Sequence, residues 1–143
     1  MRELIPNVRF QIGKGSLNIF VDEICERKDG PDRSQCDIYL SGFRIVHLDD
    51  NGSAIEGKVL AFEEADAPKV ARLLAMVLWD IDKGTLKKLP VELEDYSVVI
   101  DSPNDADIRI ARGNTNVVIS GEDMTELAGK LMVIVGSIPY RSA

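Results

Sequence analysis

Asp66-Ala67-Pro68-Lys69-Val70-Ala71-Arg72-Leu73-Leu74-Ala75-Met76-Val77-Leu78-Trp79-Asp80-Ile81-Asp82-Lys83-Gly84 reads as a helix with both ends marked. Val70, Leu73, Leu74, Val77, Leu78 and Ile81 recur at three- and four-residue steps, which predicts one face in a core. Asp66 can cap the first amides, Pro68 suits the first turn, and Gly84 after Lys83 supplies the stop. The pattern returns 57 positions later, where Val70 matches Leu127, Ala71 matches Ala128, Leu74 matches Leu131, Val77 matches Ile134 and Ile81 matches Ile138. The register continues upstream, Leu60 with Val117 and Phe62 with Ile119, and then fails because the turns differ in length. A duplicated unit and two amphipathic helices brought into register by shared physics both fit.

Upstream of the first helix the apolar residues alternate, as strands require. Val8, Phe10 and Ile12 form one strand, Gly13 to Ser16 turns, and Leu17, Ile19 and Val21 form the next. A polar loop from Glu26 to Gln35 leads to Cys36, Ile38 and Leu40; Gly42 reads as a bulge before Phe43 to Leu48. Asp49-Asp50-Asn51-Gly52 is a hairpin turn, and Ile55 to Phe62 returns. Beyond the helix, Val91 to Ile100 reads as one strand, Ile108 and Ile110 lie in a second, and Thr115 to Ile119 forms a third. Ser120-Gly121-Glu122-Asp123 resembles a capping box ahead of the second helix, with Leu127, Leu131, Ile134, Val135 and Ile138, and Pro139 beyond. The expected fold is a two-layer α+β domain over residues 1–143: a largely antiparallel sheet of about six to seven strands, two helices on one face, order ββββα-βββα.

Of the 143 residues, 45% are hydrophobic, which argues against disorder. No apolar run approaches the roughly 20 residues of a membrane span, and Met1 to Asn7 lack a signal core, so a cytoplasmic protein is expected. Lys and Arg number 17 against 24 Asp and Glu, a net charge of −7. Nucleic acid repels such a surface; only Lys83, Lys87 and Lys88 cluster, and at 6% aromatics few stacking platforms remain. A basic protein partner suits the charge, as does plain solubility. Without an export signal, Cys25 and Cys36 are expected to be reduced, although the loop between them could bring them together. With the lone His47 they make no metal-ligand spacing, so no metal or cofactor is expected.

Candidate functional residues lie on the helices. The outer stripe of the first runs Lys69, Arg72, Met76, Asp80, Lys83, with Trp79 beside it; that of the second runs Glu122, Glu126, Gly129, Val133, Ser137. Met76 and Val133 occupy matching places, and an apolar residue in a solvent-facing stripe needs a cover. The helices leaning together at Gly129 and Gly136, a homodimer through the helix faces, or another protein would each provide one. Arg72, Met76, Trp79 and Val133 are therefore the expected partner-binding set.

Catalytic signals are thin. His47 has Asp49 and Asp50 nearby but no nucleophile in context: Ser41, Ser53 and Cys36 lack signatures. Asp101, Asp105 and Asp107 around Asn104 read as an Asx turn rather than a cation loop. Gly13-Lys14-Gly15-Ser16 lacks the length and following helix of a phosphate loop. Arg109 and Arg112 read as sheet-face residues, with an anion pair as the alternative. The expectation is a non-enzymatic protein-binding module, a small acidic inhibitor or immunity-type protein. The alternative is a small-ligand binder with a pocket between sheet and helices, and an enzyme built on His47 or the aspartate turn ranks third.

Overall fold

In the computed structural model, residues 2–27, 36–63, 65–84, 89–104 and 106–137 are described. The elements are β1 (Arg2–Gln11), β2 (Leu17–Arg27), β3 (Cys36–Leu48), β4 (Ala54–Glu63), α1 (Ala67–Lys83), β5 (Val91–Leu93), β6 (Val98–Asp101), β7 (Asp107–Arg112), β8 (Thr115–Ser120) and α2 (Met124–Ser137). The strands form two antiparallel four-stranded sheets, β1-β2-β3-β4 and β5-β6-β7-β8. Side chains from both sheets and both helices join in one buried cluster. The fold is α+β, as the hydrophobic patterning required.

Eight strands stand where six to seven were expected, because the stretch read as one strand from Val91 to Ile100 is broken. A single 3-10 turn, Glu94–Tyr96, interrupts it. Ser97 follows at φ 56°, and its N–H donates to the Glu94 carbonyl at 3.2 Å. The apolar positions change parity there, from Val91 and Leu93 to Val98 and Ile100, which is the mark a continuous strand would not carry.

The second half therefore has the same plan as the first, ββββα. Ile19 pairs with Ile45, and Ile45 with Leu60; Ile100 pairs with Ile110, and Ile110 with Val117. At the outer edges Phe10 pairs with Ile19 and Val91 with Ile100. Matching Leu60 to Val117 thus matches every strand of one sheet to a strand of the other in register. The failure of the sequence match upstream reflects turn lengths and the longer β2 and β3, which run past the ends of β6 and β7.

The halves meet across an approximate two-fold axis. The helices are antiparallel: Thr125 near the start of α2 donates to Asp82 near the end of α1 at 2.8 Å. The sheets are joined by a reciprocal clasp. His47 Nε2 bonds to the Val118 carbonyl at 2.9 Å, and Arg112 Nη1 donates to the Ala61 carbonyl at 2.6 Å. His47 faces Leu17, and Arg112 faces Val98, the counterpart of Leu17; Ala61 and Val118 are counterparts as well. The two hydrogen bonds are therefore one contact, made twice.

Several local expectations are corrected. Asp66 stands at the start of α1 but makes no side-chain cap; its carbonyl accepts from Val70 N–H at 2.9 Å. No capping box forms at Ser120, because the strand runs through it and its carbonyl accepts from Asp123 N–H at 3.0 Å. The first carbonyl of α2 belongs to Asp123, which accepts from Leu127 N–H at 2.9 Å. The Gly13–Ser16 turn docks there: Gly13 N–H donates to Glu126 Oε2 at 2.7 Å, and a methyl group on Gly13 would strike the Asp123 carboxylate. The bulge in β3 falls at Ser41, since Asp22 pairs with Gly42 and Glu23 with Leu40. Gly84 does end α1, at φ 72° with its N–H on the Asp80 and Ile81 carbonyls.

Candidate functional site on the outer face of the helix pair

Inward, α1 buries Val70, Ala71, Leu74, Ala75 and Leu78, and α2 buries Leu127, Ala128, Leu131 and Ile134. The small Ala71, Ala75 and Ala128 at these positions let two helices lie close over one core. Gly129 and Gly136 do not serve this purpose, because a Cβ on either would meet open space. Helix-on-helix packing also leaves the outer apolar residues bare: Met76 is 54% exposed, Trp79 47% and Val133 45%.

Met132, 49% exposed, joins them. It is absent from the expected set because it lies on the shoulder of the α2 stripe. Its counterpart is Ala75, which is short enough to sink between the helices. Met132 is too long for the same slot and stands out of it. Between these side chains a cleft of about 560 Å³ opens outward. Ala75, Met76, Trp79 and Asp80 line it from α1, and Ala128, Gly129 and Met132 from α2. Lys83 Nζ lies 4.7 Å from the Trp79 ring centre, a cation–π contact that holds the indole at the rim. Arg72 belongs to a neighbouring cleft of about 330 Å³, with Lys69, Leu73, Tyr96 and Val135. Val133 is exposed beside the first cleft without lining it.

The face is electrically polarised along the helices. Exposed Lys69 and Arg72 stand at one end, outnumbering the half-buried Asp66 at the start of α1. Asp80, Asp82, Glu122 and Glu126 stand at the other, with Lys83 the one lysine among them in the described residues. The methionines lie between.

Elsewhere the candidate groups are engaged in structure. His47 completes the clasp, and its Nδ1 lies 3.2 Å from Ser16 Oγ. With Nε2–H given to a carbonyl, Nδ1 is left to accept from the hydroxyl, so one neutral tautomer satisfies both ring nitrogens. Arg109 grips Asp101 at 2.9 and 2.7 Å, and this contact raises the guanidinium pKa above its ordinary value. Arg112 is spent on the clasp and lies 5.0 Å from the Phe62 ring centre. Asn104 Oδ1 accepts from the N–H groups of Ala106 and Asp107 at 2.8 and 2.9 Å, an Asx turn. Asp105, Lys87, Lys88 and Ile138 lie outside the described residues. No cluster of three or more His, Cys, Asp or Glu suited to a metal occurs among the described residues.

The expectation of reduced cysteines is overturned at Cys25, which is disulfide-bonded. The side chain of Cys36, its expected partner, lies outside those described. Among the described residues no helix is long and apolar enough to cross a membrane. The chain matches no family model and no curated protein.

Proposed function

We propose that the protein is a non-enzymatic binding module whose docking surface is the outer face of the helix pair. The observation that carries this is the row Met76, Trp79, Met132 and Val133 around an apolar cleft. Four large apolar side chains left in water on adjacent helices cost solubility, and a partner protein recovers that area. The engagement of His47, Arg109 and Arg112 in internal contacts supports a binding role over a catalytic one. The net charge of −7 favours a basic partner, as an acidic inhibitor or immunity-type protein would meet.

The test is photo-crosslinking in native lysate, with a crosslinking amino acid replacing Val133 in one protein and the exposed Glu56 in another. A protein adduct at 133, absent at 56 and lost on Met76→Asp, is expected. Equal labelling at both positions, or none, overturns the reading. A small apolar ligand is the second reading, favoured by the concavity of the cleft. The space between sheets and helices is filled by fully buried side chains, so such a ligand would sit outside, between the helices. It would raise the melting temperature by several degrees in a metabolite screen.

The disulfide at Cys25 fits an oxidising compartment rather than the expected cytoplasm. Alkylation of protein taken from its native source without reductant should label no cysteine; labelling of both would restore the cytoplasmic expectation.

A further inference from the structure

We infer that the occupant of the helix face is a second copy of this chain, docked face to face with its helices reversed. The inference rests on the docking surface proposed above and assigns it to a second copy in place of a basic partner, because the charges that meet are those of the face and not the net −7 of the chain. Three observations carry it. First, the face is self-complementary in charge. A two-fold axis lying in the interface and crossing the helices at mid-length brings Lys69 and Arg72 of one copy toward the acidic end of the other, twice. An axis along the helices would instead set acid on acid. Second, Met76 and Met132 lie at mid-length on the two sides of the cleft, where that axis passes, so each thioether meets its own copy. Methionine suits such a position because its unbranched, polarisable chain adapts to an identical neighbour. Third, the area suffices. The 17 residues of α1 span about 25 Å, and two helices side by side are about 20 Å wide. The footprint is about 500 Å² per copy and about 1,000 Å² in all, the lower limit for a specific interface. Area does not fix affinity, but an interface at this lower limit belongs with weak, reversible association, so the dimer is sought at micromolar concentrations and above.

Sedimentation equilibrium of the full chain from about 1 to several hundred micromolar reads this directly, with circular dichroism and melting curves confirming that each variant folds. The wild type is expected to pass from monomer to dimer across that range. Met76→Asp with Met132→Asp should raise the dissociation constant roughly tenfold or more. Charge exchange gives the sharper test. Lys69→Glu with Arg72→Glu makes both ends of the face acidic; Asp82→Lys with Glu122→Lys makes both ends basic. Each variant alone should associate more weakly than wild type, and an equimolar mixture should form the mixed dimer at least as tightly as wild type.

A wild type that stays monomeric throughout overturns the inference. So does a dimer indifferent to the methionine pair, or a mixture no tighter than its components. The docking reading is judged separately by the mass of the adduct at position 133. A heterologous adduct beside a monomeric wild type removes the second copy and leaves the docking surface standing.

Discussion

Arg44 in the first half and Arg109 in the second occupy the same slot, each on the third strand of its sheet and outside the core. Opposite Arg44 stands Phe20, whose ring centre is 5.4 Å from the guanidinium, and the guanidinium reaches an aspartate only diagonally, Asp22 at 3.2 Å by a single hydrogen bond. Opposite Arg109, in the counterpart position, stands Asp101, gripped by two hydrogen bonds. The clasp differs in the same way: an imidazole reaches across in one direction and a guanidinium in the other. The repeated backbone fixes where two side chains meet, and several chemistries satisfy the meeting. Shared features therefore report on the fold, and features belonging to one half report on what the protein does with it.

The core is the most demanding test of equivalence. Leu74 and Leu131 are counterparts, both fully buried. Truncation of either to alanine should cost about 2–5 kcal/mol, by lost transfer energy and the cavity left behind. Because both lie in one cluster, urea unfolding of either variant should remain a single transition shared by fluorescence and far-ultraviolet circular dichroism. Two separated transitions would break the comparison, showing that the halves unfold as independent units.

The clasp comes next in size. Arg112→Ala leaves the Ala61 carbonyl without its donor and removes the cation over Phe62, and should cost about 1–2 kcal/mol. His47→Ala removes the bond to the Val118 carbonyl and the exposed one to Ser16 Oγ, and should cost about 1 kcal/mol. The double variant tests whether the two ends act together. Since the bonds join the same pair of sheets, loss of either already weakens the other, and the loss in the double variant should fall short of the sum of the single losses. Additive losses in a double-mutant cycle would mean that each contact secures only its own strand.

How far the residues themselves disclose this design follows from the range of each interaction. The helices and their 57-residue spacing were legible because a buried face imposes periodicity on consecutive residues. The hairpin at Asp49 was legible for a similar reason: the turn is closed by its own residues, with Asp49 Oδ1 accepting from Asn51 and Ser53 N–H and Gly52 at φ 80°. The exposure of Met76, Trp79 and Val133 was readable from their place in polar stripes, and the structure leaves all three exposed. The clasp was not legible. His47 and Val118 lie 71 positions apart, and an alternating strand pattern says nothing about what crosses over it. Nor was the role of Met132, whose exposure depends on how closely α1 approaches. The capping residue of α2 was misplaced for a related reason. Ser120 and Asp123 both suit a helix start, and only strand pairing through Ser120 decides between them.

The smallest effect concerns a region with no counterpart. β6 ends at Asp101, the match of Phe20, whereas β2 runs on to Arg27 beside β3. This arm carries the bulge at Ser41, the disulfide-bonded Cys25, and Glu23, which is only 8% exposed beside fully buried Leu40. Burial raises the Glu23 pKa from its ordinary value of 4.5. A carboxyl harder to ionise in the folded chain than in the unfolded one favours folding while it is protonated. That contribution is whole below the unfolded value and is lost as pH rises through the raised native value. Glu23→Gln, which cannot ionise, should match the wild type in urea midpoint below about pH 4 and exceed it modestly at pH 7. Equal midpoints at both pH values would show that water reaches the carboxylate in solution and that the arm opens where the repeated sheets stay closed. A lower midpoint for the glutamine variant at pH 7 would show instead that the charged carboxylate holds a contact that stabilises the arm.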